Sequence, residues 1–295
     1  MSFTIALTLD DALTALAAGA RPVAGGSDLV VGARHGKAPL PEHLVAIDRV
    51  DTLREIIVTD AGASIGALVN HHAIEHHPVL STAYASLADG SALVGSPSTR
   101  NVGTLGGNVM NASPAMDTGA PLLVLGAEVE LRSLRGTRRV AIADLWTGPG
   151  RTVADPDELC IAIHVPTPGA RSNSAYLRLE YRRAMEIAVV GAAAAVTLSD
   201  DGSVSAVRVA LTAVAPTIIE VTGLTGGSVA DVAAAAAAAA SAQARPISDV
   251  RASDRYRRHT IGVMARRAVE AAARRAAGDT ISIPVNRAIG IGAAS

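Results

Sequence analysis

Short apolar stretches alternate with amphipathic ones along the first 170 residues, which is the pattern of alternating strands and helices. Helices are predicted at residues 10–17 and 28–33, and Asp10 and Asp11 lie where a helix dipole favours negative charge. The turn formed by residues 60–62 predicts a hairpin between its flanking strands. Strands are predicted at residues 3–7, 21–24, 44–47, 55–58, 64–68, 124–132, 139–142 and 159–166.

The middle of this region combines a helical pattern with a loop pattern. Residues 71–93 are predicted to be helical up to and beyond Pro78, which interrupts the helix, and Asn70 is suited to cap its start. Residues 95–118 are rich in small and polar residues and predict a loop. A loop of this length inside a compact domain is more often functional than not.

The pattern changes after the Pro-Thr-Pro-Gly sequence at 166–169. Strands are predicted at 175–181, 189–198 and 204–211, the last two forming a hairpin, and helices at 229–242 and 253–277. The chain therefore divides into a domain at 1–170, with subdomains at about 1–52 and 53–170, and an α+β domain at 171–278. Residues 279–295 show no clear period and are expected to form a mobile or partner-bound tail.

The composition is that of an ordinary globular protein, with 49% hydrophobic residues, 18% charged residues and a net charge of -1. A nearly neutral chain lacks the surplus of basic residues that nucleic-acid binding needs. Its single cysteine, Cys160, excludes an internal disulfide and any cluster or zinc site built from several cysteines of this chain. We expect a cytoplasmic protein without a transmembrane segment, because no signal peptide or sufficiently apolar run is present.

Two glycine-rich turns are the strongest candidates for chemistry, and the first runs from Val23 to Leu29 between a predicted strand and a predicted helix. Gly25 and Gly26 allow positive φ angles and let a ligand approach the main chain without a Cβ in the way. The main-chain N–H groups, the Ser27 hydroxyl and the positive end of the helix together suit a diphosphate. Taken alone, a plain tight turn is an equally good interpretation.

The second turn contains Gly103, Gly106 and Gly107 and is followed by Asn111 and Asp117. Its main chain offers further donors, and the polar side chains around it can bond the hydroxyl groups of ribose or ribityl. A structural loop can have the same composition. Two such turns without a catalytic constellation nearby nevertheless favour a bound dinucleotide, and we assign no catalytic residue.

Other motifs are weaker. No G-x-G-x-x-G sequence follows a predicted strand, so a Rossmann site is unsupported. The basic run at 251–258 belongs to an amphipathic helix, and Cys160 is expected to be an inert buried thiol. A run of histidines with one carboxylate, Glu75, is more typical of a solvated helix face than of zinc, and no metal site is predicted. These histidines are His71, His72, His76 and His77.

Four sequence segments together resemble the FAD subunit of molybdenum hydroxylases, a family that includes the medium subunit of aerobic carbon monoxide dehydrogenase and the flavin domain of xanthine dehydrogenase. The segments are AGGSDL at 24–29, TRNVGTLGGNVMNASPAMD at 99–117, TGPGRT at 147–152 and YRRAMEIAVVGAAA at 181–194. The segment 249–271 is also similar to the last helix of the family. The resemblance extends from about residue 3 to 278, with the motifs in order.

The resemblance implies a two-part FAD-binding domain of the vanillyl-alcohol-oxidase (PCMH) type, followed by a small α+β domain like the C-terminal domain of the carbon monoxide dehydrogenase flavoprotein. It also implies that the first turn cradles the FAD diphosphate, that the second approaches it from the other side, and that the main chain at Cys160 or Ile161 meets the cofactor. Arg178 stands where the family usually has lysine near the flavin, so the charge is kept but the ammonium geometry is not. The implied cofactor-binding residues are Pro22, Val23, Ala24, Gly25, Gly26, Ser27, Asp28, Leu29, Gly103, Thr104, Gly106, Gly107, Asn108, Asn111, Asp117, Cys160, Ile161 and Arg178.

The function implied by the resemblance is electron relay. A molybdopterin-containing large subunit oxidises the substrate, an iron–sulfur small subunit with 2Fe–2S clusters passes electrons to the non-covalent FAD, and NAD or another acceptor receives them. The expected assembly is a dimer of heterotrimers. Two alternatives are a self-sufficient FAD-dependent oxidase or reductase with the same fold, and a non-catalytic binding or assembly protein.

Overall fold

A computed structural model describes residues 2–36 and 39–288 of the chain. A 3-10 helix at Asp51–Arg54 accompanies the α-helices. The strands are β1 (Ser2–Ile5), β2 (Arg21–Val23), β3 (His43–Ala46), β4 (Ile56–Thr59), β5 (Gly62–Gly66), β6 (Glu128–Ser133), β7 (Gly136–Ala141), β8 (Trp146–Gly148), β9 (Arg151–Thr152), β10 (Leu159–Pro166), β11 (Ser172–Leu179), β12 (Val190–Leu198), β13 (Val204–Thr212) and β14 (Ile219–Glu220). The helices are α1 (Leu9–Ala17), α2 (Ser27–Arg34), α3 (His71–His76), α4 (Leu80–Ala83), α5 (Ala85–Leu93), α6 (Pro97–Val102), α7 (Leu105–Met110), α8 (Gly119–Val124), α9 (Ile142–Leu145), α10 (Val229–Gln243), α11 (Asp254–Ala276) and α12 (Val285–Ala288).

The first unit is a parallel three-stranded sheet in the order β1–β3–β2. Its helix α1 begins with a capping box, in which Asp11 N–H donates to the Thr8 hydroxyl and Thr8 N–H donates to the Asp11 carboxylate. Leu13 and Leu16 on this helix pack with Val45 of β3 in a small core. The sheet delivers the end of β2 directly into the first glycine turn.

The second unit is an antiparallel five-stranded sheet in the order β4–β5–β10–β6–β7. The hairpin predicted at residues 60–62 is confirmed, with Thr59 paired to Gly62, whose φ of 148° favours glycine. Ile163 of β10 shares a core with Leu87 of α5 and Leu105 of α7. This packing holds the helix that follows the second glycine turn against the sheet.

The third unit is an antiparallel sheet in the order β11–β12–β13–β14, covered on one side by α10 and α11. Alternate residues of β11 face different cores, since Tyr176 packs in the core of the five-stranded sheet and Leu177 packs in the core beneath the long helices. The alanine run of α10 has a structural reason. The buried residues of α10 include Ala233, Ala236 and Ala240, and on α11 a Cβ at Gly262 would stand 2.8 Å from the Ala237 carbonyl oxygen, so small residues on both helices allow this close approach.

Half of the segment predicted as a loop at 95–118 is helical, in α6 and α7, which corrects that prediction for residues 97–102 and 105–110. Thr99 N–H donates to the Ser96 hydroxyl at the start of α6, and Gly107 N–H donates to the Thr104 hydroxyl at the start of α7. Such caps stabilise a helix start by about 1 kcal/mol, which helps where glycine weakens the helix. The strand predicted from residue 124 instead begins at Glu128, because 124 ends α8.

The prediction of a mobile or partner-bound tail from residue 279 is also corrected for its first part. Val285 and Asn286 are fully buried. Asn286 donates from its side-chain amide to the Arg178 carbonyl oxygen at 2.8 Å and accepts from Arg178 N–H at 3.1 Å. Residues 289–295 of the predicted tail lie outside the described residues. None of the described helices combines the length and apolarity needed to cross a membrane.

Candidate cofactor-binding site

The two glycine-rich turns meet at one place in the fold. A Cβ at Gly25 would overlap the Val102 carbonyl oxygen, so only glycine allows this close approach between the turns. A Cβ at Gly103 would stand 3.8 Å from the Ser27 hydroxyl oxygen. Two turns that the sequence separates by more than seventy positions therefore form a single site.

The first turn presents the start of α2. Gly26 precedes this helix with a φ of 69°, which lies in the left-handed region that glycine adopts at little cost. No side chain among the described residues caps α2. Its positive end therefore suits an anionic ligand. Around it, Gly25 and Asp28 are exposed, whereas the remaining members of the predicted set are half-buried, namely Pro22, Val23, Ala24, Gly26, Ser27 and Leu29.

The second turn is anchored to the sheet. Thr104 pairs with Asn70 in an isolated β-bridge, and Gly106 N–H donates to the Ala67 carbonyl oxygen at 2.9 Å. A Cβ at Gly106 would stand 2.6 Å from the Cβ of Ala67, so this glycine is required by packing. Gly107, in contrast, is exposed. The buried members thus fix the turn, and its exposed member faces the side on which a ligand can approach.

Polar side chains complete the site. Asn108 is half-buried and accepts a hydrogen bond from the Thr118 hydroxyl at 2.6 Å, while Asn111 is exposed. An uncapped helix start, glycines at the meeting of two turns, and amides able to bond hydroxyl groups are what a dinucleotide with a diphosphate needs. The residues present therefore fit FAD.

Asp117 and Arg178, both predicted to contact the cofactor, bind each other. Arg178 Nη1 donates to Asp117 at 2.6 Å, and the Tyr176 hydroxyl donates to the other Asp117 oxygen at 2.8 Å. Arg178 also donates from Nε to Glu180 at 2.8 Å. Burial raises the pKa of Asp117, against the opposite effect of Arg178. Burial would lower the pKa of Arg178, but Asp117 and Glu180 outweigh it and raise that pKa.

A second buried carboxylate, Asp89, was not found by sequence reasoning. It accepts hydrogen bonds from Arg275 Nη1 at 2.6 Å, from Val285 N–H at 2.8 Å and from Tyr176 N–H at 3.1 Å. Burial raises its pKa, while Arg275 acts in the opposite direction. The only signal in the sequence is an aspartate within an otherwise small and apolar helix, α5, in which every residue is buried.

Cys160 and Ile161 lie at an irregularity of β10, where the register with β6 shifts between residues 160 and 162. The Ile161 carbonyl oxygen accepts from Ala67 N–H at 3.0 Å, and Ala67 in turn contacts the second glycine turn. Burial, followed by the charge of Glu130, raises the pKa of the Cys160 thiol to about 12. The thiol is therefore inert at neutral pH, and any contact of Cys160 with a ligand would be made by its main chain.

His71 packs against the second glycine turn. The expectation that the histidines form a solvated helix face is wrong for this residue. Its main-chain N–H donates to the Gly103 carbonyl oxygen at 3.2 Å, and its side chain is buried. Burial, and secondly the charge of Arg100, lowers the pKa of His71 to about 4. Nδ1 of this imidazole has no hydrogen-bond partner among the described residues. Arg100 itself lies 3.0 Å from Glu75.

Comparison with known proteins assigns both parts of the chain. A family described as the FAD binding domain in molybdopterin dehydrogenase matches residues 1–168. A second family, the CO dehydrogenase flavoprotein C-terminal domain, matches residues 175–272.

Individual relatives cover nearly the whole chain. The carbon monoxide dehydrogenase medium chain of Afipia carboxidovorans is 36% identical over 269 residues, which are 90% of this chain and 92% of the relative. The xanthine dehydrogenase FAD-binding subunit of Escherichia coli is 31% identical over 286 residues, which are 94% of this chain and 97% of the relative. The solved structure of reconstituted CO dehydrogenase from Oligotropha carboxidovorans superposes with a TM-score of 0.88 at 32% identity, covering 93% of this chain and 98% of that one.

Proposed function

Since this chain belongs to the FAD-binding medium subunits of the molybdenum hydroxylase family, we propose that it holds one non-covalent FAD across its two glycine turns and relays electrons through it. The observation that carries this proposal is the meeting of the turns at Gly25 and Val102. A diphosphate placed there would face the start of α2 from one side and the second turn from the other.

The proposed contacts divide by chemistry. Residues 22–29 would cradle the diphosphate through main-chain N–H groups and the Ser27 hydroxyl. The second turn, with Gly103, Thr104, Gly106, Gly107, Asn108 and Asn111, would approach from the opposite side and bond hydroxyl groups. The main chain at Cys160 or Ile161 would meet the cofactor at the irregular part of β10. Asp117 would accept a further hydrogen bond from an FAD hydroxyl while Arg178 holds its carboxylate in place.

The bound flavin supplies the redox chemistry, because it can accept electrons singly and deliver them in pairs. The protein contributes position and electrostatics. Arg178, buried beside Asp117 and Glu180, would keep a fixed positive charge near the flavin in place of the lysine usual in the family.

The chain depends on partners for both ends of the relay. One cysteine cannot hold a 2Fe–2S cluster, so an iron–sulfur small subunit would be the donor. A molybdopterin-containing large subunit would oxidise the substrate, and NAD or another acceptor would take the electrons away. The proposed assembly is a dimer of heterotrimers in the cytoplasm.

The proposal keeps the division into an FAD-binding domain at 1–170, with subdomains at about 1–52 and 53–170, and a C-terminal domain at 171–278. Support comes from the order of the strands along the chain, since β10 is the last strand of the five-stranded sheet and ends at Pro166, whereas β11 is the first strand of the next sheet and begins at Ser172. The proposed domain boundary at residue 170 therefore falls in the short connection between these two strands.

Flavin analysis tests cofactor binding. The purified chain, loaded with FAD and desalted, is precipitated with acid, and the supernatant is analysed by chromatography. One FAD per chain in the supernatant is expected. Colour that stays with the precipitate contradicts non-covalent binding, and a colourless chain after loading contradicts the site itself.

A further inference from the structure

Helix α3 carries a cluster of metal-ligating side chains apart from the proposed FAD contacts. One ligand atom from each of His72, Glu75 and His76 lies within 4.8 Å of the other two. Their spacing of three and four residues places them on one helix face. His72 and His76 are exposed and Glu75 is half-buried, so an ion from solution can reach them.

The imidazole of His76 is already oriented for a ligand role. Its Nδ1 donates to the His72 carbonyl oxygen at 2.9 Å. Because a carbonyl oxygen can only accept, Nδ1 carries the proton and the neutral ring keeps the lone pair of Nε2. Such a bond to a main-chain carbonyl is the usual device that fixes the tautomer of a metal-binding histidine. The two rings lie side by side, with centroids 4.3 Å apart.

Glu75 is held in place by an ion pair. Its Oε2 lies 3.0 Å from Arg100 Nε, and both side chains are largely shielded from solvent. The pair engages one of the two carboxylate oxygens. The nearby positive charge weakens the attraction for hard cations such as Ca²⁺ and Mg²⁺, which depend on several oxygen ligands. Two imidazoles with one carboxylate instead suit zinc and its neighbours among the transition metals.

The neighbouring histidines do not belong to this cluster. His71 is buried against the second glycine turn. His77 accepts hydrogen bonds at Nδ1 from Val79 N–H and Leu80 N–H, each at 3.3 Å, so its ring is engaged at the start of α4. Of the four histidines at positions 71, 72, 76 and 77, only His72 and His76 therefore belong to the cluster.

We propose that His72, Glu75 and His76 bind one divalent transition-metal ion, with water in the remaining position. With zinc bonds of about 2.0–2.1 Å, the ligand atoms would have to lie about 3.4 Å from one another. Rotation of the exposed side chains into neighbouring rotamers can bring them that close. The bound ion would link two consecutive turns of a six-residue helix.

Zinc titration of the untagged, FAD-loaded and metal-free chain tests this site. Calorimetry at neutral pH is expected to show one saturable zinc ion per chain. His72→Ala and His76→Ala should each weaken binding at least tenfold, and Glu75→Gln by a smaller factor. His259→Ala, which removes an exposed histidine from α11, should bind like the wild type.

A thermal readout on the same samples separates this site from adventitious binding. Zinc should raise the melting temperature of the wild type and of His259→Ala but not of His72→Ala. Absence of a saturable site in the wild type, or unchanged affinity in both histidine variants of the cluster, overturns the proposal. Neither result touches the FAD site, because flavin content is measured independently.

Discussion

Arg178 Nη1 donates to Asp117 Oδ2 across 2.6 Å and thereby ties β11 to the segment that follows the second glycine turn. Asp117→Ala removes one of the two carboxylate partners of a guanidinium that is fully buried. Because Glu180 still compensates the charge of Arg178, the loss should cost about 1–3 kcal/mol, the range for a buried polar group that loses a hydrogen-bond partner. Urea denaturation should show a decrease of this size. Asp144→Ala, on the short helix α9 away from this pair, should stay within about 0.5 kcal/mol of the wild type.

The same variant tests the proposed role of Asp117 toward FAD. At a temperature where Asp117→Ala remains folded by circular dichroism, FAD binding should weaken by about 1.5–3 kcal/mol, the range for a hydrogen bond to a charged group. Tyr176→Phe removes a donor to Asp117 but leaves its carboxylate, and should retain FAD affinity. Unchanged affinity in Asp117→Ala would restrict this residue to the ion pair with Arg178.

Valine at Gly26 or Gly107 should abolish FAD retention, because both glycines lie in the turns of the proposed cradle. At Gly107 the new Cβ would stand 2.9 Å from the Thr104 hydroxyl oxygen that caps α7 and would distort the second turn. At Gly26 the φ of 69° adds backbone strain. Gly202→Val is the matched control, since Gly202 has a φ of 82° with nothing near its Cβ position, in a hairpin of the C-terminal sheet. That control should lose stability but keep its flavin. Full flavin content in folded Gly26→Val and Gly107→Val would contradict the assigned cradle.

Burial of neutral His71 predicts a pH dependence of stability. Its pKa is about 4 in the folded chain against 6.5 for an unperturbed imidazole, so the unfolded chain binds the proton first as the pH falls. The contribution is fully present above about pH 6.5 and is lost toward pH 4. We expect His71 to lower the free energy of unfolding by about 2 kcal/mol at about pH 5 relative to about pH 7.5.

Urea denaturation at those two pH values measures this effect. His71→Gln cannot titrate and should show a correspondingly smaller pH dependence. His259→Gln, at an exposed position, should keep the dependence of the wild type. An equal pH dependence in His71→Gln and the wild type would show that the buried imidazole is not its source.

The thiol of Cys160, with its pKa raised to about 12 by burial, should resist modification. Ellman's reagent should label the folded chain slowly and should release one equivalent at once in guanidinium. Ser205→Cys places a thiol at an exposed position and should react immediately without denaturant. Rapid labelling of the native wild type would mean that β10 opens readily.

Local features of the fold could be predicted from the sequence. The hairpins at 60–62 and 200–202 follow from their glycines, and the glycine turns could be located because few other structures use such sequences. The helices α6 and α7 could not be predicted, because each has six residues, which are too few to show a helical period. Their caps, Ser96 and Thr104, were the signal that remained.

Long-range pairing was beyond the reach of sequence patterns. Asp89 and Arg275 lie 186 positions apart, and nothing local to either residue indicates that the other will neutralise it. The same applies to Asn286, whose bonds to Arg178 bring the predicted tail into the core. For the site, the sequence located each turn but not the contact between them at Gly25 and Val102.

The relay itself is tested most directly by mixing the oxidised, FAD-loaded chain with the iron–sulfur subunit, reduced by dithionite and desalted, in an anaerobic stopped-flow instrument. The predicted result is bleaching of the flavin by the reduced partner, with no bleaching when the chain alone meets purines, aldehydes, N-heterocycles or carbon monoxide. A flavin that stays oxidised with the reduced partner contradicts the relay. Rapid bleaching of the isolated chain by an organic substrate contradicts it as well and favours a self-sufficient oxidase.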